Sequence, residues 1–379
     1  MKSLLLAFAI GIFIAIYGGF HVYAYRKLRY VFPRYRRTVI VILSILGLSI
    51  FIVEIFTHGN VHSVLVEPLS WVTFTWMGYV FLFFAVSVLL DLVQKISGFT
   101  GCAVISDRLA SPRRTMVVIA VVTVIAGYGI AAARQINVEH IVLESAKVQN
   151  TIRIVQLADL HLGVLSQERY ISRVVDTVNR LEPDVIVSTG DLVDMQLDHL
   201  QALLEQMQRC TAKWGKYAVY GNHEYLAGIN AAQDFTQAAG FDILSDRGIS
   251  VNAALNIVGI DDQSIEQGSG RVADFDEAAL LRKFDNGLFT LLLKHQPVIE
   301  LSSVGLFDLQ LSGHIHGGQI FPFGLLTWLY YQVPLGLSRV TESGWIYVSR
   351  GTGTWGPPMR VLAPPEITLI EIQPAIVNE

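Results

Sequence analysis

The chain has 379 residues and a formal net charge of −4, and 52% of its residues are hydrophobic. Its mean hydropathy of +0.46 is too high for an ordinary soluble enzyme, so part of the chain is expected to lie in lipid. The cations form no patch beside the polar motifs described below, which argues against nucleic acid as a main partner. The two cysteines, Cys102 and Cys210, are too few for a disulfide framework or a thiolate metal site.

Apolar segments close to membrane-spanning length occupy the first third of the sequence. About 20 apolar residues cross a bilayer as a helix. The first segment could alternatively be a signal peptide because Lys2 precedes it, but its length and the aromatic and basic residues at its end favour a retained helix. Region 1–134 is therefore predicted to contain four transmembrane helices, at residues 3–24, 39–56, 71–93 and 116–133.

The cations between these segments predict the orientation of the chain. Six Lys or Arg residues lie between residues 26 and 37, and none lies between residues 58 and 67. Short loops rich in cations stay in the cytoplasm, so the first loop and the third loop are assigned there. The domain after residue 134 is then expected outside the cytoplasm. The pair Arg113 and Arg114 alternatively resembles a twin-arginine export signal, although the residues after it match the usual continuation poorly.

Beyond residue 134 the pattern changes to alternating strands and helices, which indicates an α/β domain at 151–379. A β-branched run beginning at residue 151 ends in Asp159 and His161. Side chains two residues apart on an extended backbone project to the same side, so these two are expected to share one metal ion. Residues 167–181 are periodic as an amphipathic helix.

Four later strands end in the same way, in polar residues that can bind metals. Asp191 and Asn222 each follow a glycine, which lets the backbone turn sharply at the end of a strand. A single histidine beside a strand is most often structural, but five polar strand ends in order indicate a shared site. Together they offer seven candidate ligands: Asp159, His161, Asp191, Asn222, His295, His314 and His316.

These side chains supply only nitrogen and oxygen donors, a set that suits Mn, Zn or Fe. One ion does not usually take seven ligands from a protein, whereas two ions that share a bridging carboxylate use them well. Two ions roughly 3.5–4 Å apart can clamp a phosphate and generate a hydroxide nucleophile. The sequence therefore predicts a site with two divalent metal ions.

The motif series resembles the calcineurin-like metallophosphoesterases. D-x-H, G-D-x-x-D, G-N-H-E, H-x-P and G-H-x-H occur in the order of that family, within residues 151–372, and the chain end resembles its membrane-anchored or exported bacterial branch. The resemblance implies a four-layer α/β/β/α sandwich. It further implies that one ion binds Asp159, His161, Asp191 and His316, that the other binds Asp191, Asn222, His295 and His314, and that His223 is catalytic and oriented by Asp194.

Three features lie outside this common pattern. Ile315 stands where the family commonly has threonine, and since that side chain is no ligand in the resemblance, only the surroundings of the site should change. Residues 321–337 form an apolar and aromatic insert after Gln319, which either covers the core or dips into the bilayer. Arg350 either contacts phosphate or forms a structural salt bridge, the more ordinary role.

The predicted function is a membrane-anchored phosphohydrolase that cleaves a phosphodiester or phosphomonoester by attack of a metal-bound hydroxide. Its expected partners are the bilayer and a phosphoester substrate, which could be a lipid. One alternative is a lipid-pyrophosphate hydrolase of the type that acts on lipid A precursors, with a domain that could face the cytoplasm. The other alternative is a metal-binding scaffold without activity.

Overall fold

The computed structural model describes residues 2–58, 65–99, 112–194, 200–262, 275–342 and 344–375. Cys102 and most of the second and third predicted loops lie outside the described residues. The chain divides into two compact units. The helical unit is Met1–Ala132 with Gly356–Val361, and the α/β unit is Ala133–Trp355 with Leu362–Glu379. Nothing in the sequence indicated that Gly356–Val361 groups with the helices.

Long helices form the described part of the helical unit: α1 (Lys2–Val31), α2 (Arg36–His58), α3 (Val66–Phe99) and α4 (Pro112–Ala132). Three described segments are long and apolar enough to cross a membrane, namely Pro33–Phe56, Val66–Phe99 and Pro112–Ala132. They correspond to the last three predicted spans. The first predicted span lies within α1, and its passage through a membrane stays a prediction.

The segment Gly356–Val361 packs among these helices at two glycines. A Cβ atom on Gly78 of α3 would lie 2.8 Å from Sδ of Met359. A Cβ atom on Gly129 of α4 would lie 3.2 Å from Cβ of Met359. The N–H of Arg360 donates to the carbonyl oxygen of Gly129 at 2.9 Å. Met359 and Arg360 are fully buried. The absence of a side chain at the two glycines leaves the space that this segment fills.

The α/β unit contains two six-stranded sheets. The first consists of β1 (Asn137–Ser145), β2 (Ile152–Leu157), β3 (Val185–Ser188), β4 (Lys216–Ala218), β5 (Asp242–Ile243) and β12 (Glu366–Pro374), and the second of β6 (Arg247–Val251), β7 (Leu255–Ile260), β8 (Phe289–Lys294), β9 (Leu309–Ser312), β10 (Gly336–Arg339) and β11 (Trp345–Val348). In space the strands follow the orders β1-β12-β2-β3-β4-β5 and β10-β11-β9-β8-β7-β6. Both sheets are mixed, because β12 runs antiparallel to β2 and β6 runs antiparallel to β7.

Helices cover the outer faces of the two sheets. Between the sheets, Ile154 and Val185 of the first are buried with Leu291 and Leu309 of the second. Helices α5, α6 and α8 pack on the other face of the first sheet, and α9 packs on that of the second. This order of layers confirms the predicted α/β/β/α sandwich. The six helices are α5 (Glu168–Arg180), α6 (Gln201–Gln208), α7 (Asn222–Ala227), α8 (Ile229–Ala238), α9 (Glu277–Arg282) and α10 (Phe323–Tyr331).

The fold brings the polar motifs to the ends of parallel strands. Strands β2, β3 and β4 run parallel to one another, and so do β8 and β9. Parallel strands have their carboxyl ends at the same edge of a sheet, which is where α/β proteins place their sites. Each of these five strands ends within four residues of a predicted ligand.

Candidate metal centre

Five of the seven predicted ligands have a left-handed backbone conformation. Their φ angles are 50° for Asp159, 48° for His161, 51° for Asp191, 71° for His314 and 49° for His316. Such angles cost a residue with a side chain on the order of 1–3 kcal/mol, although Asp and His adopt them more readily than most. Backbone strain of this kind is concentrated at functional sites.

The expectation that Asp159 and His161 lie on an extended backbone was wrong. After β2 the chain turns because its N–H groups bond to the loop after β3. Asp159 N–H donates to the carbonyl oxygen of Gly190 at 3.2 Å, and His161 N–H donates to that of Asp191 at 2.9 Å. The two side chains nevertheless converge, since their ligand atoms lie within 4.8 Å of each other and of one on His316.

Asp159, His161 and His316 form the first ligand group, and all three are buried. The Nε2 atoms of the two histidines are 2.9 Å apart. The N–H of His314 donates to Oδ1 of Asp159 at 2.8 Å, which fixes that carboxylate. Within the described residues, Nδ1 of His161 is buried and has no hydrogen-bond partner. These donors are arranged as ligands of one ion would be.

Asp191, Asn222, His295 and His314 form the second ligand group. Nε2 of His295 lies 3.1 Å from Oδ1 of Asn222, 3.0 Å from Nδ1 of His314 and 3.2 Å from Oδ2 of Asp191. An imidazole nitrogen carries at most one proton, so a single hydrogen bond does not account for three polar neighbours. Imidazole, amide and carboxylate donors around one point suit Zn, Mn or Fe. The residues present therefore fit a metal ion.

Asp191 belongs to the second ligand group and also lies beside the first. Its Oδ1 accepts a hydrogen bond from the N–H of His223 at 2.8 Å. Its Oδ2 lies 3.2 Å from Nε2 of His295 and 3.7 Å from Nε2 of His161. One carboxylate oxygen thus faces a nitrogen of each ligand group, which is the geometry that a bridging ligand needs.

Burial and neighbouring charges set the protonation of the site. Burial lowers the pKa of His161 and of His314 to about 4, and nearby cationic histidines add to this effect. Burial alone would lower the pKa of His295 too, but the carboxylates of Asp191 and Asp159 raise it to about 10. Although burial opposes it, attraction to His295 holds the pKa of Asp191 well below its usual range. His161 and His314 are thus neutral at neutral pH, the form that binds metals.

His223 and Asp194 form a hydrogen-bonded pair beside the first ligand group. Nδ1 of His223 lies 2.9 Å from Oδ1 of Asp194. Burial lowers the pKa of His223, but the hydrogen bond and charge of Asp194 and the charge of Asp191 outweigh it and raise the pKa. The ring lies edge-on to His161, with 4.6 Å between centroids. Atoms of His161, Asp194 and His223 also come within 4.8 Å of one another, but the bond to Asp194 already uses Nδ1 of His223.

The sequence analysis assigned no role to Glu224, which organises the loops of the site. It is 1% exposed, and its carboxylate accepts hydrogen bonds from the N–H groups of Gly221 at 2.8 Å, Asp191 at 3.0 Å and Leu192 at 2.7 Å. The loop after β3 is thereby tied to the start of α7. Glu224 lies three residues after Gly221, which is the spacing of a capping box, and that pattern could have indicated this role.

Trp355 is a second residue that the sequence analysis did not single out. Its ring lies 5.8 Å from the ring of His223 at an interplanar angle of 75°, and the residue is 52% exposed. A half-exposed indole beside the predicted catalytic histidine can contact a bound substrate.

The structure resolves two of the features outside the family pattern. Ile315 lies between the predicted ligands His314 and His316 and is buried with Ile346 and Val348 in an apolar cluster, so it contributes packing. Arg350 forms ion pairs with Glu366, at 2.7 Å, and with Glu139. The structure therefore shows the salt bridge that was the second interpretation of Arg350.

The middle of the aromatic insert, Phe323–Tyr331, folds as helix α10, which has no fully buried residue. The exposed fractions are 58% for Trp328, 60% for Leu329 and 79% for Tyr330. Tyr331 at the end of the helix packs against the buried cluster that contains Ile315, so the insert contacts the core through its last residues. At its end, the ring of Tyr331 lies 5.7 Å from that of His314, and its hydroxyl donates to Oε1 of Gln296 at 3.0 Å. The last residue of an apolar helix is thus in direct contact with the second ligand group.

Comparison with known proteins identifies the family. The family model of the calcineurin-like phosphoesterase domain matches residues 152–318. An uncharacterised metallophosphoesterase of Aquifex aeolicus is 36% identical over 241 residues, which cover 63% of this chain and 92% of that protein. The chain belongs to the calcineurin-like phosphoesterase family.

Other members of the family combine the domain with further sequence. A transmembrane protein with a metallophosphoesterase domain from Danio rerio is 32% identical to this chain over 334 residues, 82% of this chain and 75% of that protein. An uncharacterised metallophosphoesterase of Helicobacter pylori is 35% identical over 230 residues, 60% of this chain and 61% of that protein. This chain thus matches less than two thirds of the Helicobacter relative.

Proposed function

We propose that this protein is a membrane-anchored hydrolase that uses two divalent ions, Mn, Zn or Fe, to cleave a phosphodiester or phosphomonoester. The observation that carries the proposal is Oδ2 of Asp191, which faces His295 at 3.2 Å and His161 at 3.7 Å. One carboxylate between two ligand groups supports a pair of ions with a shared ligand. When bound, such ions clamp a phosphate and lower the pKa of the attacking water.

In this proposal His223 supplies a proton to the leaving group. Because its Nδ1 is bonded to Asp194, Nε2 is the ring atom that can meet the leaving oxygen. Asp194 holds the ring in one orientation and raises its pKa, so the proton is available near neutral pH.

We propose an amphiphilic phosphoester as the substrate. Helix α10 supports this choice, because its exposed Trp328, Leu329 and Tyr330 offer an apolar surface and its Tyr331 contacts His314. Such a surface fits the interface of a bilayer, with the polar group of a lipid directed to the ligand groups. The cation-rich loop between residues 26 and 37 supports a catalytic domain outside the cytoplasm.

The test is metal content and hydrolysis by the full chain, purified in detergent without a chelator and supplied with Mn or Zn. We expect two ions per chain at saturation and metal-dependent cleavage of an aryl phosphodiester. Asp191→Asn should lower both occupancy and turnover. Asp246→Asn is the matched control, because Asp246 has the same φ of 51° and lies outside both ligand groups.

The alternatives correspond to distinct results. A single ion at saturation, with affinity unchanged in Asp191→Asn, would contradict the shared-ligand proposal. Two bound ions without hydrolysis of any phosphoester would indicate a scaffold. Faster cleavage of a lipid pyrophosphate than of a lipid diester would favour the lipid-pyrophosphate hydrolase.

A further inference from the structure

The helical unit contains a cavity of about 500 Å³ that is separate from the ligand groups. Helices α1, α3 and α4 contribute its walls. The charged side chains among its lining residues are Arg26, Lys27, Arg29, Asp91 and Arg114. Four cations therefore surround one carboxylate.

Asp91 neutralises only part of this positive charge. Its carboxylate accepts from Nζ of Lys27 at 2.7 Å and from the hydroxyl of Tyr23 at 2.6 Å, and it pairs with Arg114. Within the part of the chain that the structure describes, Arg26 and Arg29 form no ion pair. Nε of Arg29 is buried and has no hydrogen-bond partner among those residues. The cavity thus contains an excess of positive charge and an unsatisfied donor.

The start of helix α4 adds further donors. Pro112, Arg114 and Thr115 line the cavity, and the first turn of this 21-residue helix carries no acidic side chain. The first N–H groups of a helix have no partner within the helix, and its dipole places partial positive charge there. A helix start beside several cations is an arrangement that binds phosphate.

We propose that this cavity binds a phosphate group, carried by an anionic lipid. Helices α3 and α4 are both long and apolar enough to cross a membrane. Leu89, Leu92 and Val93 of α3, which flank Asp91, are 60%, 52% and 41% exposed, so an apolar surface for acyl chains adjoins the cations. Basic pockets between transmembrane helices at the cytoplasmic side bind lipid head groups. A bound lipid would join α1 to α4 and stabilise the helical unit.

The test uses the full chain in a neutral detergent, with bound lipid measured by native mass spectrometry and by thermal unfolding. Phosphatidylglycerol, phosphatidylcholine and inorganic phosphate are added separately. Arg26→Gln with Arg29→Gln removes the two cations that have no described ion pair. Arg36→Gln with Arg37→Gln removes the same charge from the exposed start of α2 and is the matched control.

We expect phosphatidylglycerol to bind in preference to phosphatidylcholine and to raise the unfolding temperature. The cavity variant should bind phosphatidylglycerol roughly tenfold or more weakly, because two charge-assisted contacts are lost, whereas the control should bind as wild type. Equal weakening in both variants, or equal binding of both lipids, would overturn the proposal. Displacement of phosphatidylglycerol by an equal concentration of inorganic phosphate would overturn the assignment to a lipid. Unfolding without lipid checks that both variants fold.

Discussion

Gln319 holds the backbone of Trp355 through both of its amide atoms. Its Nε2 donates to the carbonyl oxygen of Trp355 at 2.7 Å, and its Oε1 accepts from the N–H of Trp355 at 2.9 Å. Gln319 lies three residues after the predicted ligand His316, and the ring of Trp355 lies against His223. The two hydrogen bonds therefore fix an aromatic ring relative to the predicted catalytic residues.

Removal of the side chain of either Gln319 or Trp355 should impair turnover in the same way, by loss of the positioned indole ring. We expect Trp355→Ala to lower kcat/KM for an ester with a bulky leaving group by up to roughly tenfold, the size of a lost aromatic contact. Gln319→Ala should have a similar effect, because the ring would lose its fixed position. The double variant should be no worse than either single variant in a double-mutant cycle. Additive losses would show that the two residues act independently.

His223 is expected to serve the chemistry without binding metal. His223→Asn should lower kcat by about two to four decades, the value of general acid catalysis, with metal content near wild type. The defect should shrink for a diester whose leaving group is already very acidic. Asn222→Ala is the comparison, since it should lower the occupancy of one ion. Loss of metal in His223→Asn, or near-normal turnover on a poor leaving group, would assign His223 a structural role.

Helix α10 is expected to govern access of amphiphilic substrates. Trp328→Ser, Leu329→Ser and Tyr330→Ser combined should reduce turnover of a lipid phosphoester in vesicles far more than that of a soluble aryl diester, because only the lipid needs an apolar surface. Leu301→Ser with Leu362→Ser is the control, since these residues are 84% and 73% exposed outside α10. Equal losses on both substrates would show that the helix has only a structural role.

The orientation of the chain can be tested with reporters that are active only outside the cytoplasm. A reporter fused after Glu379 should be active, and one inserted in the third predicted loop near Ser106 should be silent, because cation-rich loops stay inside. The reverse pattern would place the phosphoesterase domain in the cytoplasm. It would then also favour the lipid-pyrophosphate alternative.

Asp261 should make the stability of the α/β unit depend on pH. Burial raises its pKa to about 6, with the charge of Glu224 adding to the effect, while a hydrogen bond from Ser245 opposes it. The folded chain therefore keeps a proton that the unfolded chain releases near pH 4, and stability falls as the pH rises through this window, by up to about 3 kcal/mol.

Asp261→Asn removes this titration while it preserves the shape of the side chain. Relative to wild type, the variant should gain unfolding temperature above pH 6 and lose that advantage near pH 4. The measurement is thermal unfolding of the detergent-solubilised chain between pH 4 and 8, with a chelator present so that metal binding does not contribute. A constant difference across this range would contradict the assignment.

The parts of the site that follow strands directly could be predicted from the sequence. Asp191 and Asn222 come after a buried strand and a glycine, and this local pattern indicates a turn that presents a side chain. The left-handed backbone of His161 could not be predicted, because a hydrogen bond to Asp191 on another loop imposes it. Trp355 is distant from every motif in the sequence, and only the fold brings its ring to His223.

The segment Gly356–Val361 limits how the chain can be divided. A shortened chain that begins at Ala133 would retain this segment but lose the helices that carry Gly78 and Gly129. Met359, which is fully buried in the intact chain, would then face water and favour aggregation. A soluble version of the α/β unit therefore needs a second change besides truncation, the replacement of these six residues by a polar connection between Trp355 and Leu362.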